Sequence, residues 1–308
     1  MSAMGNYAPI VLFVYNRPEH TRRTVEALRA NCLAPQSRLF VFSDAPKDDG
    51  ARSAVEEVRR YVASIDGFAS VELFKQNVNQ GLAASVIAGV TRFAEECGRV
   101  IVLEDDLLTS PYFLDYMNEG LELYKEDEEV ASVQAHMFPL KGGILPRSFF
   151  LPVTGSWGWG AWSRSWRLFN PDAKYLLGEI RRRGLSRAFD LNHSYPYIRL
   201  LDRQAAGKID SWAIRWYAST FLLNKISLFP ASSFVKNTGF DGSGVHCGRS
   251  DPEHFNTSIV SNYTELGRVV PEVNKRIVED FQKSLREVSW GMSLFSKLKR
   301  IVLFPLSR

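Results

Sequence analysis

The chain has 308 residues, 45% of them hydrophobic and 23% charged, enough apolar content for a large folded core, so a disordered chain is excluded. Its formal net charge is only +4, and its concentrated basic runs are Arg181-Arg182-Arg183 and the last stretch, which excludes nucleic acid as a partner. Cys32, Cys97 and Cys247 are odd in number and far apart, so a disulfide framework is excluded and cytoplasmic thiols are expected.

Met1 to Ala8 has no basic leader, and Ile10 to Tyr15 is too short for the apolar part of a signal peptide before Arg17. No stretch approaches the length of a membrane span, so a soluble body is expected. Pro9 to Tyr15 reads as an apolar strand, and Asn16-Arg17-Pro18 turns it into a helix whose proline sits in the first turn. Arg38 to Phe42 is a second strand ending in Ser43-Asp44, followed by an amphipathic helix from about Ser53 to Ile65. Val71 to Phe74 gives a third strand, Asn77 to Gly81 a turn, and Leu82 to Cys97 a helix. Strands alternating with helices predict an α/β fold with a Rossmann-like, mostly parallel sheet flanked by helices.

The fourth strand, Val100 to Leu103, is an unbroken apolar run that delivers three consecutive acids, Glu104-Asp105-Asp106. Side by side, such charges repel, and they are tolerated in water, on an arginine fork, or on a divalent cation that prefers oxygen ligands. In a parallel sheet, ligands gather at the carboxyl ends of the strands. Those ends carry Asn16-Arg17, Asp44, Asn77 with Asn79, and the acid trio. The glycine signatures of P-loop and dinucleotide-binding proteins are absent after the first strand, leaving metal and side chains to meet any phosphate.

Ser110-Pro111 starts a helix through about Lys125, and Val130 to Ala135 and Phe149 to Val153 read as strands. Trp157, Trp159, Trp162 and Trp166 are interleaved with glycine, either as a packed sub-core or as an aromatic wall for a sugar ring, in which Trp157 and Trp159 would bind the acceptor. Pro171 to Ala206 is helical with breaks at Gly184 and Pro196. Asp210-Ser211-Trp212 opens a further helix, capped by Asp210 or Ser211. Ser227 to Phe234 is a last strand, and Lys236 to His246 a glycine-rich loop of the kind that closes as a lid.

Taken together, the Asn16-Arg17 start, the strand ending at Asp44, Val100 to Asp106 with Ser110-Pro111-Tyr112-Phe113, Gly158-Trp159, Asp210-Ser211-Trp212 and Gly244-Val245-His246 resemble a GT-A glycosyltransferase. In particular, they are similar to the N-acetylglucosaminyltransferase I family, in a bacterial-looking form without its membrane anchor. The matches span roughly residues 9 to 250, and Asn77-x-Asn79-x-Gly81 looks like the turn of other inverting GT-A enzymes. The resemblance implies donor contacts from Arg17, Asp44, Gly81, Glu104 and Asp105. It further implies Mn²⁺ or Mg²⁺ on Asp106, with His246 a further candidate ligand, and Asp210 as the catalytic base. One departure stands out: the family's Asp-Asp-Trp is Asp210-Ser211-Trp212 here.

The expected activity is inverting, metal-dependent transfer of a sugar, N-acetylglucosamine being one candidate, from a UDP-sugar to the hydroxyl of a glycan or lipid-linked acceptor. The rivals are a sugar-phosphate nucleotidyltransferase and a non-catalytic carbohydrate-binding protein of the same fold. Residues 1–265 are expected to form the GT-A domain, with a nucleotide-sugar half to about 135 and an acceptor half from about 136. Residues 266–308 would form a helical tail. From Ser289 to Arg308 that tail is apolar and basic, suited either to packing on its own domain or to lying on an anionic membrane surface at the inner face of the cell membrane.

Overall fold

The computed structural model describes residues 7–140, 145–241 and 258–287. Strand β1 (Ile10–Val14) leads through helix α1 (Pro18–Arg29) to β2 (Arg38–Ser43), and α2 (Asp49–Val62) leads on to β3 (Ser70–Lys75). Helix α3 (Leu82–Cys97) then returns the chain to β4 (Arg99–Glu104). All of these strands pair in parallel, in the order β3-β2-β1-β4.

Alternation along these strands explains their unbroken apolar runs. Ile10, Leu12, Leu39, Val41, Ile101 and Leu103 pack in one cluster with Val25 and Leu28 of α1 and Val58 and Val62 of α2. Val11, Phe13, Phe40, Phe42, Val100 and Val102 pack in another with Val86, Val90 and Phe93 of α3. Both faces are covered, as parallel strands require. The outward march from β1 to β3 and the return to β4 run in opposite directions, so right-handed crossovers place α1 and α2 on one face and α3 on the other.

Beyond β4 come β5 (Leu107–Thr109), α4 (Phe113–Leu123), β6 (Val130–Gln134), β7 (Ser148–Leu151) and β8 (Trp159–Trp162). Helices α5 (Ser163–Trp166), α6 (Ala173–Arg182), α7 (Ser186–Phe189), α8 (Tyr197–Ala205) and α9 (Trp212–Leu222) follow. The chain continues through β9 (Ile226–Pro230) and β10 (Val235–Asn237). The full sheet has the order β3-β2-β1-β4-β8-β6-β9-β7. Four of its pairings are parallel, while β8 is antiparallel to β4 and β6 and β7 is antiparallel to β9. Strands from beyond residue 135 therefore complete the sheet begun by the first half.

Two expectations need correction. The Gly-Trp segment contains a central strand, β8, which the sequence reading left unassigned because two glycines and an alanine hide its β pattern. The strand read as Ser227 to Phe234 ends at Pro230, and Lys236 and Asn237, read above as the start of a loop, belong to β10, which pairs with β5. Of the C-terminal tail, residues 275–287 are helical and pack Ile277, Phe281 and Leu285 into a third cluster with α6, α8 and α9. The basic amphipathic stretch from Ser289 lies outside the described residues.

Candidate active site

The strand order reverses between β1 and β4, because the chain leaves β1 toward β2 on one side and arrives at β4 on the other. Such a switch point opens a crevice beyond the carboxyl ends of the two strands. Arg17 stands at the end of β1 and the acid trio at the end of β4, so the topology brings them together. Arg17 Nη2 donates to Asp105 Oδ1 and, at 3.0 Å, to Asp106 Oδ2. Its other terminal nitrogen, Nη1, is buried without a hydrogen-bond partner. Thr24 Oγ1 on α1 donates to the Asp105 carbonyl at 2.7 Å, fixing the turn from below.

A second clamp comes from late in the chain. Strand β10 pairs antiparallel with β5, just after the acids. The Asp106 carbonyl accepts from Thr238 N at 2.8 Å and from Thr238 Oγ1 at 3.1 Å. At Gly239, a Cβ would lie 2.3 Å from Asp106 Oδ2, so this position has no room for a side chain. Sequence alone does not show Thr24 or Thr238-Gly239, because Thr24 meets the acids only once β1 and β4 are neighbours, and Thr238-Gly239 only once β5 and β10 have paired.

Three carboxylates with one arginine leave an excess of negative charge in a buried place. Burial, followed by the nearby Asp106 and Asp105 charges, pushes Glu104 up to about 8, against the opposing influence of Arg17 and of the Trp212 indole. Burial pushes Asp105 up to about 6, although Arg17 pulls it down. Burial also opposes the charge on Arg17, but Asp105 and Asp106 outweigh it and hold the guanidinium above its ordinary range. Among the described residues, no group of three or more His, Cys, Asp or Glu side chains is arranged to hold a metal ion.

Asp44 closes the neighbouring strand end. Its Oδ1 accepts from Ala45 N (2.9 Å) and Gln80 N (3.0 Å), and its Oδ2 from Gly81 N (2.8 Å). Gly81 takes φ 80 at the start of α3, a conformation that favours glycine. Asn79 Nδ2 donates to the Ala45 carbonyl at 2.7 Å. The Asn77-x-Asn79-x-Gly81 turn is thereby tied to the end of β2, and Asp44 serves as its anchor. Arg59, unremarked in the sequence, braces the same edge by donating to Ser43 Oγ and to the Asp44 and Gln76 carbonyls.

The tryptophans divide. Trp159 is fully buried and stacks on Trp212 at 5.1 Å, within a group that includes Trp166 and Trp216. Its expected place in the acceptor site is corrected accordingly: a core indole presents no face to a sugar. Trp157 is only partly buried and meets the rings of His136 at 4.6 Å and Phe240 at 5.7 Å.

Ser211, not Asp210, caps α9, by accepting from Ile214 N. Asp210 is exposed and pairs with Arg215 at 2.9 Å, two residues before the Trp212 that reaches Glu104. Asp241 ends the described part of the glycine-rich loop, and His246 lies outside the described residues.

His136, which the sequence reading passed over, follows β6 at the same edge of the sheet. The signal that could have found it is positional: a polar residue directly after an apolar strand, as at Asn16 and Glu104.

The chain matches no protein-family model and no curated protein. Among solved structures, it is similar to GalNAc-T7 with UDP, GalNAc and Mn²⁺ at 10% identity, over 54% of this chain and 37% of that one, with a TM-score of 0.37. It is similar to the mannosyltransferase PcManGT from Pyrobaculum calidifontis, in complex with GDP-Man and Mn²⁺, at 14% identity, over 70% of this chain and 74% of that one, with a TM-score of 0.36. It is also similar to TarS from S. aureus at 14% identity, over 46% of this chain and 24% of that one, with a TM-score of 0.30. The matched part thus spans little more than a third of GalNAc-T7 and about a quarter of TarS.

Proposed function

We propose that the chain is an inverting, metal-dependent glycosyltransferase that uses a nucleotide sugar, with UDP-sugars the preferred class and a glycan or lipid-linked hydroxyl as acceptor. The observation that carries this reading is the Arg17–Asp105–Asp106 cluster at the β1/β4 switch point. A half-buried arginine there keeps its buried Nη1 unpartnered, beside more carboxylates than it can neutralise. An anionic diphosphate suits the free face of the arginine, and a hard cation suits the surplus carboxylate oxygens.

The donor set fits Mn²⁺ or Mg²⁺ held by Asp106, with Asp105 beside it. Such ions commonly take only one or two carboxylates and complete their shell with phosphate oxygens and water, so no cage of three protein ligands is needed. When bound, the ion would offset charge building on the departing diphosphate. Arg17 would donate from Nη1 to a phosphate oxygen. Glu104, steadied by the Trp212 indole, would hydrogen-bond a donor-sugar hydroxyl, while Asp44 and Gly81 would shape the nucleoside end.

Asp210 would accept the proton from the acceptor hydroxyl as its oxygen attacks the anomeric carbon. The bond from that carbon to the diphosphate breaks, and the diphosphate leaves with the electron pair. A single displacement inverts the anomeric centre and needs no enzyme nucleophile. Membrane attachment through the C-terminal stretch belongs to the same reading; among the described residues, no helix is long and apolar enough to cross a membrane.

A thermal-shift panel of nucleotide sugars with and without Mn²⁺ tests the proposal, since a ligand that binds only the folded state raises the melting temperature. The expected result is a Mn²⁺-dependent rise with a UDP-sugar. A rise with a nucleoside triphosphate plus sugar phosphate, and none with nucleotide sugars, would instead favour the nucleotidyltransferase.

A further inference from the structure

Counted along the sheet, the strand ends carry Asp44 on β2, Arg17 on β1, the acids on β4, Trp157 just before β8 and His136 just after β6. Trp159 of β8 pairs with Val102 on one side and Gln134 on the other. Two residues further toward the carboxyl edge, Trp157 therefore stands between the positions of Glu104 and His136. Neighbouring strands lie about 4.8 Å apart, so β6 is about 10 Å from β4, the same separation as β2 from β4 on the other side. If the donor's nucleoside lies at Asp44 and its diphosphate at Arg17, the next stretch of the edge, toward β8 and β6, is where the second sugar must approach.

His136 is built unlike a core histidine. Its Nε2 is fully buried and has no hydrogen-bond partner. The ring packs at a steep angle against Phe138 at 4.8 Å and Trp157 at 4.6 Å. Burial pushes the imidazole down to about 3, so the ring is neutral at physiological pH and can donate or accept at Nε2 according to tautomer. Buried polar groups are nearly always satisfied, and an exception calls for an occupant. An indole next to an unsatisfied neutral imidazole offers a pyranose one apolar surface and one hydrogen-bonding atom, the mixture that sugar rings present in return.

We propose that His136 and Trp157 form an acceptor-sugar subsite, in which the His136 Nε2 hydrogen-bonds one pyranose hydroxyl while the Trp157 indole covers the ring's apolar face. The proposal rests on the nucleotide-sugar reading of the acid cluster for the direction in which the donor lies. His136 is here a positioning residue; it takes no part in the proton transfer assigned to Asp210.

The probes are the methyl glycosides of glucose, galactose, mannose and N-acetylglucosamine, added to the full chain with and without uridine diphosphate and Mn²⁺. Long-range proton–nitrogen spectra read the imidazole rings, and His136 is identified by the signal lost in His136→Phe. At least one glycoside is expected to shift the His136 Nε2 resonance. It should bind about tenfold more weakly to His136→Phe, the value of one hydrogen bond. Uridine diphosphate affinity, measured by calorimetry, should be equal in the two proteins.

Phenylalanine preserves the ring contacts and removes the unsatisfied nitrogen, so this variant should melt no lower than wild type. If it fails to fold, His136→Leu, which also carries no hydrogen-bonding atom, gives the same readout. In a protein that binds uridine diphosphate, no shift from any glycoside overturns the subsite and leaves the donor reading standing. A shift in a protein that does not bind uridine diphosphate sustains the subsite and overturns the donor reading. Absence of both removes both.

Discussion

Arg17 and Asp105, 88 residues apart in sequence, meet as an ion pair because β1 and β4 are neighbours in the sheet. Among the described residues, the side-chain partners of Arg17 are Asp105 and Asp106 at the end of β4, and the side-chain partner of Asp105 is Arg17. Replacing Arg17 by methionine leaves Asp105 and Asp106 buried without a cation, and removing one partner of a buried pair typically costs about 3–5 kcal/mol. Urea unfolding of metal-free Arg17→Met should show a loss of that order. Added Mn²⁺ should recover more stability in the variant than in wild type, because the ion takes over the neutralising charge. Equal stability of the two metal-free proteins would mean that the pair contributes nothing to the fold.

Much of the arrangement was legible in the sequence, and the legible parts share a cause. Leu82 to Cys97 was read to the residue as α3, and the first four strands were placed within one or two residues, because apolar runs and βα alternation are local signals. The strand ends that carry Arg17, Asp44 and Glu104-Asp105-Asp106 followed from that alternation. What stayed hidden depends on long-range pairing. β8 enters the sheet against its neighbours' direction, β10 clamps the acids from more than a hundred residues away, and Trp212 stacks on Trp159 from the first turn of α9. No periodicity announces such contacts.

The divided tryptophans give a test of core against surface. Trp159→Ala empties a fully buried site and should cost about 3–5 kcal/mol in denaturant unfolding. Trp157→Ala, at a partly buried position, should cost less. A larger loss at Trp157 than at Trp159 would reverse the assignment of core and edge.

His136 also sets a pH dependence. Its folded-state value, about 3, lies below the 6.5 of an ordinary histidine, so between those two values the unfolded chain binds a proton that the native state refuses. The contribution is fully present above about pH 6.5 and is lost as pH falls toward 3, with a slope of at most about 1.4 kcal/mol per pH unit. Subtracting the stability–pH curve of His136→Phe from that of wild type isolates this term from the carboxylates. A flat difference curve would place the imidazole in contact with water.

Asp210→Asn separates three roles for one residue. The asparagine oxygen can still accept from Arg215, and the exposed ion pair it replaces is worth only about 0–1 kcal/mol, so the fold should be unaffected. Helix α9 keeps its cap, because Ser211 supplies it. An amide cannot take the acceptor's proton, and general-base assistance typically supplies about 10²–10⁴-fold, so transfer at saturating donor should fall by that factor. Affinity for uridine diphosphate, measured in parallel by calorimetry, should stay near wild type. A collapse of that affinity would make Asp210 part of the donor or metal site. A near-normal transfer rate would reassign the base to another carboxylate, with Asp241 the next to substitute, since it follows Gly239 and Phe240 in the segment that closes over Asp106 and Trp157.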